Sequence, residues 1–417
     1  MDATVKGFRA KGEIFAPPSK SHAHRLIIAA ALGEATTTIE NVGRSEDAEA
    51  TLRCVNALGA KAERQGDDVI ITGVFSGGAS GRAVFDCGES GSTWRFMLPV
   101  AAALGISAEF KGKGRLMQRP NAILTNALSS HGYITDGKTG KGRLSAGRYE
   151  IDAAVSSQYI TGLLFALPLL DGDSEIIFNG ETVSANYIEM TFSVLDTAGI
   201  KYSRDGKKSV AVYGGQKYSM PEKVRAEGDW SGAAFILALG ALCGEVCVSG
   251  LKENSVQSDR AICDILKAYG ADVSVKESGA TAKKARALPF EVSVVNCPDL
   301  APVLCVLAAT AKGRSVVSGV QRLKDKESDR LAAIEEMLSV AGVKTKEAGD
   351  SLEIFGGEIN SGKFDGCRDH RIVMAAAVLA AAAKGTSTVS DAEAVNKSYP
   401  SFFGDMQKLK GEENVGI

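Results

Sequence analysis

Residues 369–389 read DHRIVMAAAVLAAAAKGTSTV, and this stretch contains the plan on which the whole chain is built. A short polar start, Asp369-His370-Arg371, precedes a run of alanine and other apolar residues, and glycine and a β-branched segment follow. The run is apolar on all sides, which predicts a helix that is buried on every face. The β-branched residues after the glycine favour a strand. The stretch therefore predicts a buried helix that leads directly into a strand.

The same plan occurs six times along the chain, with starts roughly 70 residues apart, a period too long for a solenoid repeat. The five earlier starts are Ser19-Lys20-Ser21, Gly91-Ser92-Thr93, Ser156-Ser157-Gln158, Asp229-Trp230-Ser231 and Pro298-Asp299. Most repeats continue into a second helix with charges on one side, which is typical of a surface helix. These second helices are predicted at Ala48 to Leu58, Tyr187 to Ala198, Arg260 to Tyr269 and Arg330 to Val340. We therefore expect an α/β (α+β) fold of packed repeats, with buried helices and outer sheets.

Length and repeat number together indicate two domains. A chain of 417 residues exceeds what one hydrophobic core usually supports. Six repeats divide naturally into three per domain. The chain is then expected to cross between the domains near Arg225 to Asp229.

The composition excludes several classes of protein. With 48 basic and 50 acidic residues and a net charge of -2, no overall field favours nucleic acid or an anionic membrane. The first 16 residues contain scattered charges and no apolar run, unlike a secretory signal, and the longest apolar runs are too short to cross a bilayer. Eight cysteines without paired CxxC spacing are typical of small buried side chains and indicate no zinc site. We expect a cytoplasmic protein without nucleic-acid or membrane partners.

The starts of the inner helices indicate an anion-binding site. Helices that begin at Ser, Thr, Gly or Asp present unpaired backbone N–H groups and the positive end of the helix dipole. If several such ends face one cleft between the domains, that cleft binds phosphate or carboxylate. The basic residues in or near these starts are Lys20, Arg25, Arg95, Arg119, Lys326, Arg330, Arg371 and Lys397. Each alone is typical of a solvated surface residue, but the recurring placement predicts a substrate with several negative charges.

Three single motifs lead to separate predictions. Gly132 to Thr139 matches the P-loop expression, but a helical segment precedes it and further glycines follow it, so we expect a hairpin and no ATP site. Asp299 follows Pro298 ahead of an apolar run, which is typical of a helix N-cap. A carboxylate in a cationic cleft is also able to accept a proton from a substrate hydroxyl. Trp94 is expected in the core.

Taken together, these segments resemble the EPSP synthase family along essentially the whole chain. The segments that carry the resemblance are Pro18 to Ser21 with Arg25, Gly88 to Arg95, Leu116 to Pro120, Val155 to Tyr159, Glu227 to Asp229, Pro298-Asp299, Lys326 to Leu331, Asp369 to Arg371, and Lys397 before Ser398-Tyr399-Pro400. The resemblance implies a two-domain inside-out α/β barrel in which each domain has three βαβαββ repeats. It also implies domains at 19–226 and at 1–18 plus 227–417, with a first strand at Thr4 to Phe15 in the second domain and the active site in the cleft between the domains.

The resemblance further implies an enolpyruvyl transferase of the shikimate pathway, which leads to chorismate and aromatic amino acids, with no metal or organic cofactor. In that reaction the 5-hydroxyl of shikimate 3-phosphate adds to C2 of phosphoenolpyruvate, and the tetrahedral adduct expels phosphate. By carry-over, the residues that bind shikimate 3-phosphate are Ser21, Arg25, Ser156, Ser157, Gln158, Ser184, Tyr187, Asp299 and Lys326. Those that bind phosphoenolpyruvate are Lys20, Gly91, Arg119, Gln158, Arg330, His370, Arg371 and Lys397. The enzyme is expected to be a monomer.

The chemistry requires a base for the hydroxyl and an acid for the methylene carbon. The resemblance assigns Asp299 as the base and implies Glu327 with Lys20 as the pair that delivers the proton. Nearby cations disfavour the protonated form of a carboxyl group, so the donor is either Glu327 or Lys20.

Three positions depart from the commoner family pattern: Glu89 and Ser92 stand where many members have Asn and Thr, and Arg322 where Asn is frequent. Two alternatives to the main function are weighed. UDP-N-acetylglucosamine enolpyruvyl transferases resemble this repeat plan but use a loop cysteine, and the corresponding segment Lys111 to Leu116 has none. A non-catalytic anion-binding module of the same fold is disfavoured because all three catalytic positions keep functional side chains.

Overall fold

The computed structural model describes residues 1–79, 81–152, 156–180, 184–206 and 208–411, and the chain divides into two compact units. The first unit is Lys20–Ala226. The second unit combines Met1–Ser19 with the chain from Glu227 onward. Each unit contains three of the six repeats. Across the described ranges, no helix combines the length and the apolar character needed to cross a membrane.

Each repeat begins with an inner helix whose residues are almost all buried. In the helix Trp230–Cys243 every residue is buried, because the segment carries no charged side chain that needs solvent. The helix start is stabilised by Asp229, whose side chain accepts a hydrogen bond from the backbone of Ser231. The six inner helices are Lys20–Ala31, Gly91–Ala103 and Ser157–Ala166 in the first unit, and Trp230–Cys243, Ala301–Thr310 and His370–Ala382 in the second.

Small separate sheets surround the inner helices, and in each of them the first two strands are parallel while the others run antiparallel. The sheets of the first unit are Lys223–Arg225, Thr36–Glu40, Asp68–Thr72, Lys61–Gln65; Arg82–Asp86, Ser107–Lys111, Thr139–Gly142, Tyr133–Thr135; and Arg148–Asp152, Ser174–Asn179, Ser209–Val212, Tyr202–Asp205. Those of the second unit are Lys11–Phe15, Glu245–Ser249, Gly279–Lys283, Asp272–Lys276; Glu291–Ser293, Gly313–Ser318, Ser351–Gly356, Lys344–Ala348; and Lys363–Phe364, Thr386–Val389, Ala3–Lys6. Among the described residues no sheet closes on itself, so the implied barrel consists of separate small sheets.

Amphipathic outer helices follow the second strand of the repeats or complete the unit. Gly59 and Gly270 end two of them in the left-handed conformation, with φ of 114° and 97°, which is the usual role of glycine after a helix. The outer helices are Glu46–Leu58, Ala122–Ser130, Ala185–Thr197, Ile262–Tyr269, Arg330–Val340 and Phe402–Lys408. The four outer helices predicted from the sequence lie where expected, and their bounds differ by at most two residues.

The N-terminal segment differs from the single strand expected at Thr4 to Phe15. It forms two strands in two sheets: Ala3–Lys6 pairs with Thr386–Val389, and Lys11–Phe15 pairs with Glu245–Ser249. The change of sheet occurs at Gly7, where a Cβ atom would lie only 2.2 Å from the carbonyl oxygen of Ala383. Close backbone contact at a glycine therefore ends the first strand.

The P-loop-like segment forms the predicted hairpin. Tyr133–Thr135 and Thr139–Gly142 pair antiparallel, so the segment lacks the strand-to-helix turn that binds a nucleotide phosphate. Trp94 is 2% exposed, and its indole Nε1 donates to the carbonyl of Gly137 at 2.8 Å. Both predictions are confirmed.

Candidate active site

Lys20 is the first residue of an inner helix of the first unit and lies beside a buried carboxylate. Its Nζ atom lies 2.9 Å from Oδ2 of Asp47, which is 4% exposed in the first turn of the outer helix Glu46–Leu58. This ion pair fixes the ammonium group at the helix start. The sequence analysis missed Asp47, because an acidic residue in the first turn of a helix is typical of ordinary dipole stabilisation.

Arg25, also on the helix of Lys20, is a buried guanidinium whose hydrogen bonds within the described residues go to uncharged oxygen atoms. Its Nε atom donates to Thr191 Oγ1 at 2.9 Å, and Nη1 donates to the carbonyl of Ser21 at 2.7 Å. Nη2 donates to the carbonyl of Tyr187 at 2.8 Å and to Thr161 Oγ1 at 3.4 Å. Burial lowers the pKa of Arg25 from 12.5 to about 9. Because all four acceptors are neutral, the positive charge remains available for a bound anion.

The inner helix Gly91–Ala103 begins next to a second guanidinium. A Cβ atom on Gly91 would lie 2.6 Å from Nη1 of Arg119, so the guanidinium packs directly on the glycine backbone. The N-cap Ser90 accepts the N–H of Thr93 at 3.2 Å. The Ser90 side chain does not accept the N–H groups of Gly91 and Ser92, which precede Thr93 at the helix start. Backbone N–H groups beside a guanidinium form a suitable site for phosphate or carboxylate oxygens.

Glu89, one of the departures from the family pattern, packs beside another glycine. A Cβ atom on Gly114 would lie 2.5 Å from Oε1 of Glu89. The carboxylate is therefore directed at the backbone near Gly114. The sequence analysis identified the unusual residue but was unable to give the direction of its side chain.

Gln158 links the glycine loop, the segment from Gly88 to Arg95, to the buried guanidinium of Arg95. Its Nε2 atom donates to Ser92 Oγ at 2.9 Å, and its Oε1 atom accepts from Arg95 Nη1 at 2.7 Å. Ser156 caps the same helix through a 3.3 Å bond from the backbone of Gln158, and Ser157 is its buried first residue. The predicted group Ser156, Ser157 and Gln158 thus lies together at one helix start, and Val155 lies outside the described residues.

Ser184 and Tyr187 lie at the start of the outer helix Ala185–Thr197. Ser184 is buried and has a φ of 54°, a left-handed conformation that is uncommon for a residue other than glycine. The carbonyl of Tyr187 accepts from Arg25, and its ring centroid lies 6.0 Å from the guanidinium carbon. Ser21, Arg25 and Tyr187 are therefore brought together within the first unit.

In the second unit, Arg330 is surrounded by three carboxylates. Nη1 lies 2.9 Å from Asp299 Oδ1, Nη2 lies 2.8 Å from Glu327 Oε2, and Nε lies 2.8 Å from Asp369 Oδ2. Burial lowers the pKa of Arg330, but Asp369, Glu327 and Asp299 outweigh burial and leave the pKa raised. Arg330 is therefore a permanently charged centre that holds both candidate catalytic carboxylates, Asp299 and Glu327.

Arg371 and Lys397 complete this cluster. Arg371 Nη2 lies 3.2 Å from Asp299 Oδ2, so the two oxygens of Asp299 contact two different arginines. Lys397 Nζ lies 3.6 Å from Glu327 Oε1. Asp299 is the most exposed member, at 27% of its side chain, whereas both arginines are 2% exposed. The cluster therefore contains one partly exposed carboxylate, that of Asp299, which is held by two buried arginines.

Three further residues that the sequence analysis named are close in sequence to members of this cluster. His370, the buried first residue of its helix, has Nδ1 3.7 Å from Asp369 Oδ1. Lys326 is half-buried and follows a short turn at Gln321–Asp325. Arg322, in that turn, donates from Nη1 to the carbonyl of Val295 at 3.1 Å, and burial lowers its pKa.

Asp259 is an acidic residue that the sequence analysis missed. It is fully buried, and its Oδ2 atom accepts a short hydrogen bond from Ser231 Oγ. Burial and the nearby Asp299 raise the pKa of Asp259 to about 7, although Arg371 opposes the shift. Its position two residues after Gln257, ahead of an outer helix, gives no sequence signal that distinguishes it from a helix cap.

The geometry of both units matches known proteins along the whole chain. A family profile described as EPSP synthase (3-phosphoshikimate 1-carboxyvinyltransferase) matches residues 5–406. The chain belongs to the EPSP synthase family.

Relatives of this EPSP synthase family member carry the same description. Proteins named 3-phosphoshikimate 1-carboxyvinyltransferase from Clostridium novyi and Pyrococcus abyssi are 36% and 37% identical to the chain. The alignments cover 96% of this chain in both cases and 95% and 96% of those relatives. The solved structure of EPSP synthase from Acinetobacter baumannii has a TM-score of 0.82 at 24% identity, covering 98% of each chain. The enolpyruvyl transferase NikO from Streptomyces tendae has a TM-score of 0.78 at 16% identity, covering 97% and 96%.

These matches confirm the family and the fold class predicted from the sequence. The chain is an enzyme, an enolpyruvyl transferase of the EPSP synthase family that acts in the shikimate pathway. The sequence motifs and the structural likeness agree over nearly the full length of the chain.

Proposed function

We propose that the chain transfers the enolpyruvyl group of phosphoenolpyruvate to the 5-hydroxyl of shikimate 3-phosphate and releases phosphate. The observation that carries the proposal is Arg25, a buried guanidinium with four neutral hydrogen-bond acceptors. A buried cation without a charged partner is unfavourable unless an anion binds to it. The 3-phosphate of the acceptor substrate is the group that we assign to Arg25 and its neighbours Ser21 and Tyr187.

The other proposed contacts of shikimate 3-phosphate follow the family motifs. Ser156, Ser157, Gln158 and Ser184 would add hydroxyl and amide donors, and Lys326 a cation. Ser156 and Ser157 occupy a helix start, where phosphate and hydroxyl oxygens meet the positive end of the helix dipole.

Phosphoenolpyruvate is proposed to bind cations from both units. In the first unit these are Lys20 and Arg119, with the backbone N–H groups at Gly91. In the second unit they are Arg330, His370, Arg371 and Lys397. The donor substrate has a phosphate and a carboxylate, which suit these groups because charged hydrogen bonds to guanidinium and ammonium are strong.

Asp299 is proposed as the base that takes the proton of the 5-hydroxyl. Its two oxygens are held by Arg330 and Arg371. The carboxylate of phosphoenolpyruvate would compete for the same arginines. Donor binding would therefore release Asp299 to act on the hydroxyl, so that the base becomes active only when the second substrate is present.

The donor of the proton to the methylene carbon is proposed to be Lys20. Glu327 lies between Arg330 and Lys397, an arrangement that suits an ionised carboxylate better than a proton donor. Lys20 instead presents an ammonium group held by Asp47. Protonation of C3 and attack of the hydroxyl oxygen on C2 would form the tetrahedral adduct. Loss of a proton from the new methyl group and cleavage of the C2–O bond to phosphate would then give the enol ether product.

A phosphate-release assay with both substrates tests the proposal. Turnover is expected with shikimate 3-phosphate and phosphoenolpyruvate, and not when UDP-N-acetylglucosamine replaces the acceptor. Arg25→Met should lower the affinity for shikimate 3-phosphate without removing the binding of phosphoenolpyruvate. Ligand binding without turnover would contradict the proposal and favour a non-catalytic module. We also propose that the enzyme is a cytoplasmic monomer, which analytical ultracentrifugation checks for the oligomeric state.

A further inference from the structure

A buried chain of hydrogen bonds connects three helix starts in the first unit. It consists of His24, Thr51, Thr93 and Ser90, all of them fully or almost fully buried. His24 Nδ1 lies 2.5 Å from Thr51 Oγ1, which lies 2.7 Å from Thr93 Oγ1. Thr93 Oγ1 donates to Ser90 Oγ at 2.8 Å. These residues come from the helices Lys20–Ala31, Glu46–Leu58 and Gly91–Ala103 with its N-cap.

The protonation of His24 sets the direction of the chain. Burial lowers the pKa of His24 to about 3, so the ring is neutral and carries one proton. Nε2 is buried and has no hydrogen-bond partner among the described residues. A proton on Nε2 would leave a buried donor unsatisfied, whereas a proton on Nδ1 is donated to Thr51. Because Thr93 gives its own proton to Ser90, Thr51 must donate to Thr93, and every bond runs from His24 towards Ser90.

The chain ends at the residue that caps the glycine loop. Ser90 Oγ accepts from the hydroxyl of Thr93 and also from its backbone N–H at 3.2 Å. The cap position fixes the first turn of the helix, and with it the N–H groups of Gly91 and Ser92 next to Arg119.

The same chain is also anchored at Lys20. Thr51 lies one turn after Asp47 in the outer helix, with its Oγ1 atom 3.3 Å from the Asp47 carbonyl oxygen, and Asp47 holds Lys20 at 2.9 Å. His24 lies one turn after Lys20. Two parallel contacts therefore join these helices: an ion pair at the helix starts and a buried hydrogen bond one turn below.

We infer that His24, Thr51 and Thr93 are positioning residues for phosphoenolpyruvate, because their hydrogen-bond chain holds the glycine loop in register with Lys20. The inference rests on the proposed binding of phosphoenolpyruvate at Gly91 and Arg119. A fully connected buried network specifies one arrangement, and loss of one member leaves the next polar group unsatisfied. Small displacements of a substrate-positioning group are costly, with losses of about 100-fold for about 1 Å.

The test compares Thr51→Val, which removes the hydroxyl and keeps the shape, with Thr51→Ser, which keeps the hydroxyl. Steady-state kinetics should give a KM for phosphoenolpyruvate raised about tenfold in Thr51→Val, by part of that displacement effect. The KM for shikimate 3-phosphate should change less than about twofold, and Thr51→Ser should restore the wild-type ratio of the two constants. Thr37→Val removes another buried threonine hydroxyl of the first unit and is the matched control, with both constants unchanged.

Equal changes of both KM values in Thr51→Val, or no change, would overturn the inference. If Thr51→Val is insoluble, Thr93→Val breaks the next hydrogen bond of the buried network, and its two KM values are compared in the same way. Arg119→Ala separates this inference from the proposed function. If Arg119→Ala leaves the KM for phosphoenolpyruvate unchanged, the proposed binding position is wrong. If it raises that KM while Thr51→Val does not, only the positioning role is wrong.

Discussion

Replacing two similarly buried arginines by methionine should have very different consequences for the free energy of unfolding. Arg25 and Arg330 are 2% and 1% exposed. In the part of the chain that the structure describes, the hydrogen bonds of Arg25 go to neutral oxygens, whereas Arg330 contacts three carboxylates. We expect Arg25→Met to leave the free energy of unfolding nearly unchanged and Arg330→Met to lower it strongly.

The magnitude for Arg25 follows from its pKa. The fall from 12.5 to about 9 is about 3.5 pH units, which at about 1.4 kcal/mol per unit corresponds to roughly 5 kcal/mol of unfavourable burial. Since the folded and unfolded chains both carry the charge below pH 9, the whole penalty is present at neutral pH and declines only as the pH rises above about 9. Four hydrogen bonds at about 1 kcal/mol each offset most of it. The net change for Arg25→Met is therefore expected within about 2 kcal/mol of zero.

Arg330→Met removes the cation shared by Asp299, Glu327 and Asp369. Breaking a buried ion pair by removing one partner typically costs about 3–5 kcal/mol, and Asp369 is completely buried. The expected loss is therefore about 4 kcal/mol, at least about twice the change at Arg25.

Tryptophan fluorescence during urea unfolding measures the two effects separately. The chain has two tryptophans, Trp94 in the first unit and Trp230 in the second, and both are buried. Arg25→Met is measured with Trp230→Phe as background, and Arg330→Met with Trp94→Phe. Isothermal titration should also show that Arg25→Met loses about 100-fold or more in affinity for shikimate 3-phosphate, since such buried charge pairs are worth about 3 kcal/mol. Equal destabilisation by both substitutions would refute the reasoning, because it would mean that Arg25 is as well neutralised as Arg330.

Three further predictions concern the proposed chemistry and its surroundings. Lys20→Met should reduce kcat by more than about 100-fold while the dissociation constant of shikimate 3-phosphate in equilibrium titration stays within about threefold; turnover near that of the wild type would remove Lys20 from the mechanism. Asp299→Asn should lower kcat by about 100-fold to 10,000-fold, measured by phosphate release, and an unchanged kcat would exclude it as the base. Asp259→Asn should remove a pH dependence of stability: the raised pKa of Asp259 means that the folded chain binds an extra proton between about pH 4 and 7, so unfolding free energy falls as the pH rises through that window. Urea midpoints at pH 5 and pH 8 compare the two proteins, and an identical slope in both would contradict the assignment.

The repeats and the inner helices were predictable because they depend on local pattern. An apolar run such as Ile372 to Ala383 has no polar face, so burial on every side is its only favourable environment. The polar starts then had to lie at helix N-termini, and Ser90, Ser156, Asp229 and Asp369 indeed cap them. The prediction of Asp299 as an N-cap was wrong: within the described residues the helix Ala301–Thr310 has no side-chain cap, and the Asp299 carboxylate contacts Arg330 and Arg371 instead. The break of the N-terminal strand at Gly7 was not predictable, because it depends on a backbone carbonyl distant in sequence.

The groups that surround each candidate site residue were not predictable from the sequence alone. The sequence analysis selected both Arg25 and Arg330 as cations, yet only the structure distinguishes neutral acceptors from a ring of carboxylates. Asp47 and Asp259 were missed because acidic residues near helix starts are common. Which groups surround a charge is decided by tertiary packing between repeats, and one sequence contains no direct record of those pairs.

The double use of the N-terminal segment affects how the protein is synthesised. Ala3–Lys6 and Lys11–Phe15 form edge strands. Their partners, Thr386–Val389 and Glu245–Ser249, follow the entire first unit in the sequence. The ribosome therefore produces these strands first, and the partner of Lys11–Phe15 follows roughly 230 residues later and that of Ala3–Lys6 roughly 380 residues later. At roughly 10 residues per second the delays are roughly 20 s and 40 s. During these intervals the two strands have no partner strand, whereas the first unit, which is continuous in sequence, is free to fold. Newly made molecules should thus be most vulnerable to proteolysis and to wrong strand pairing in these two strands.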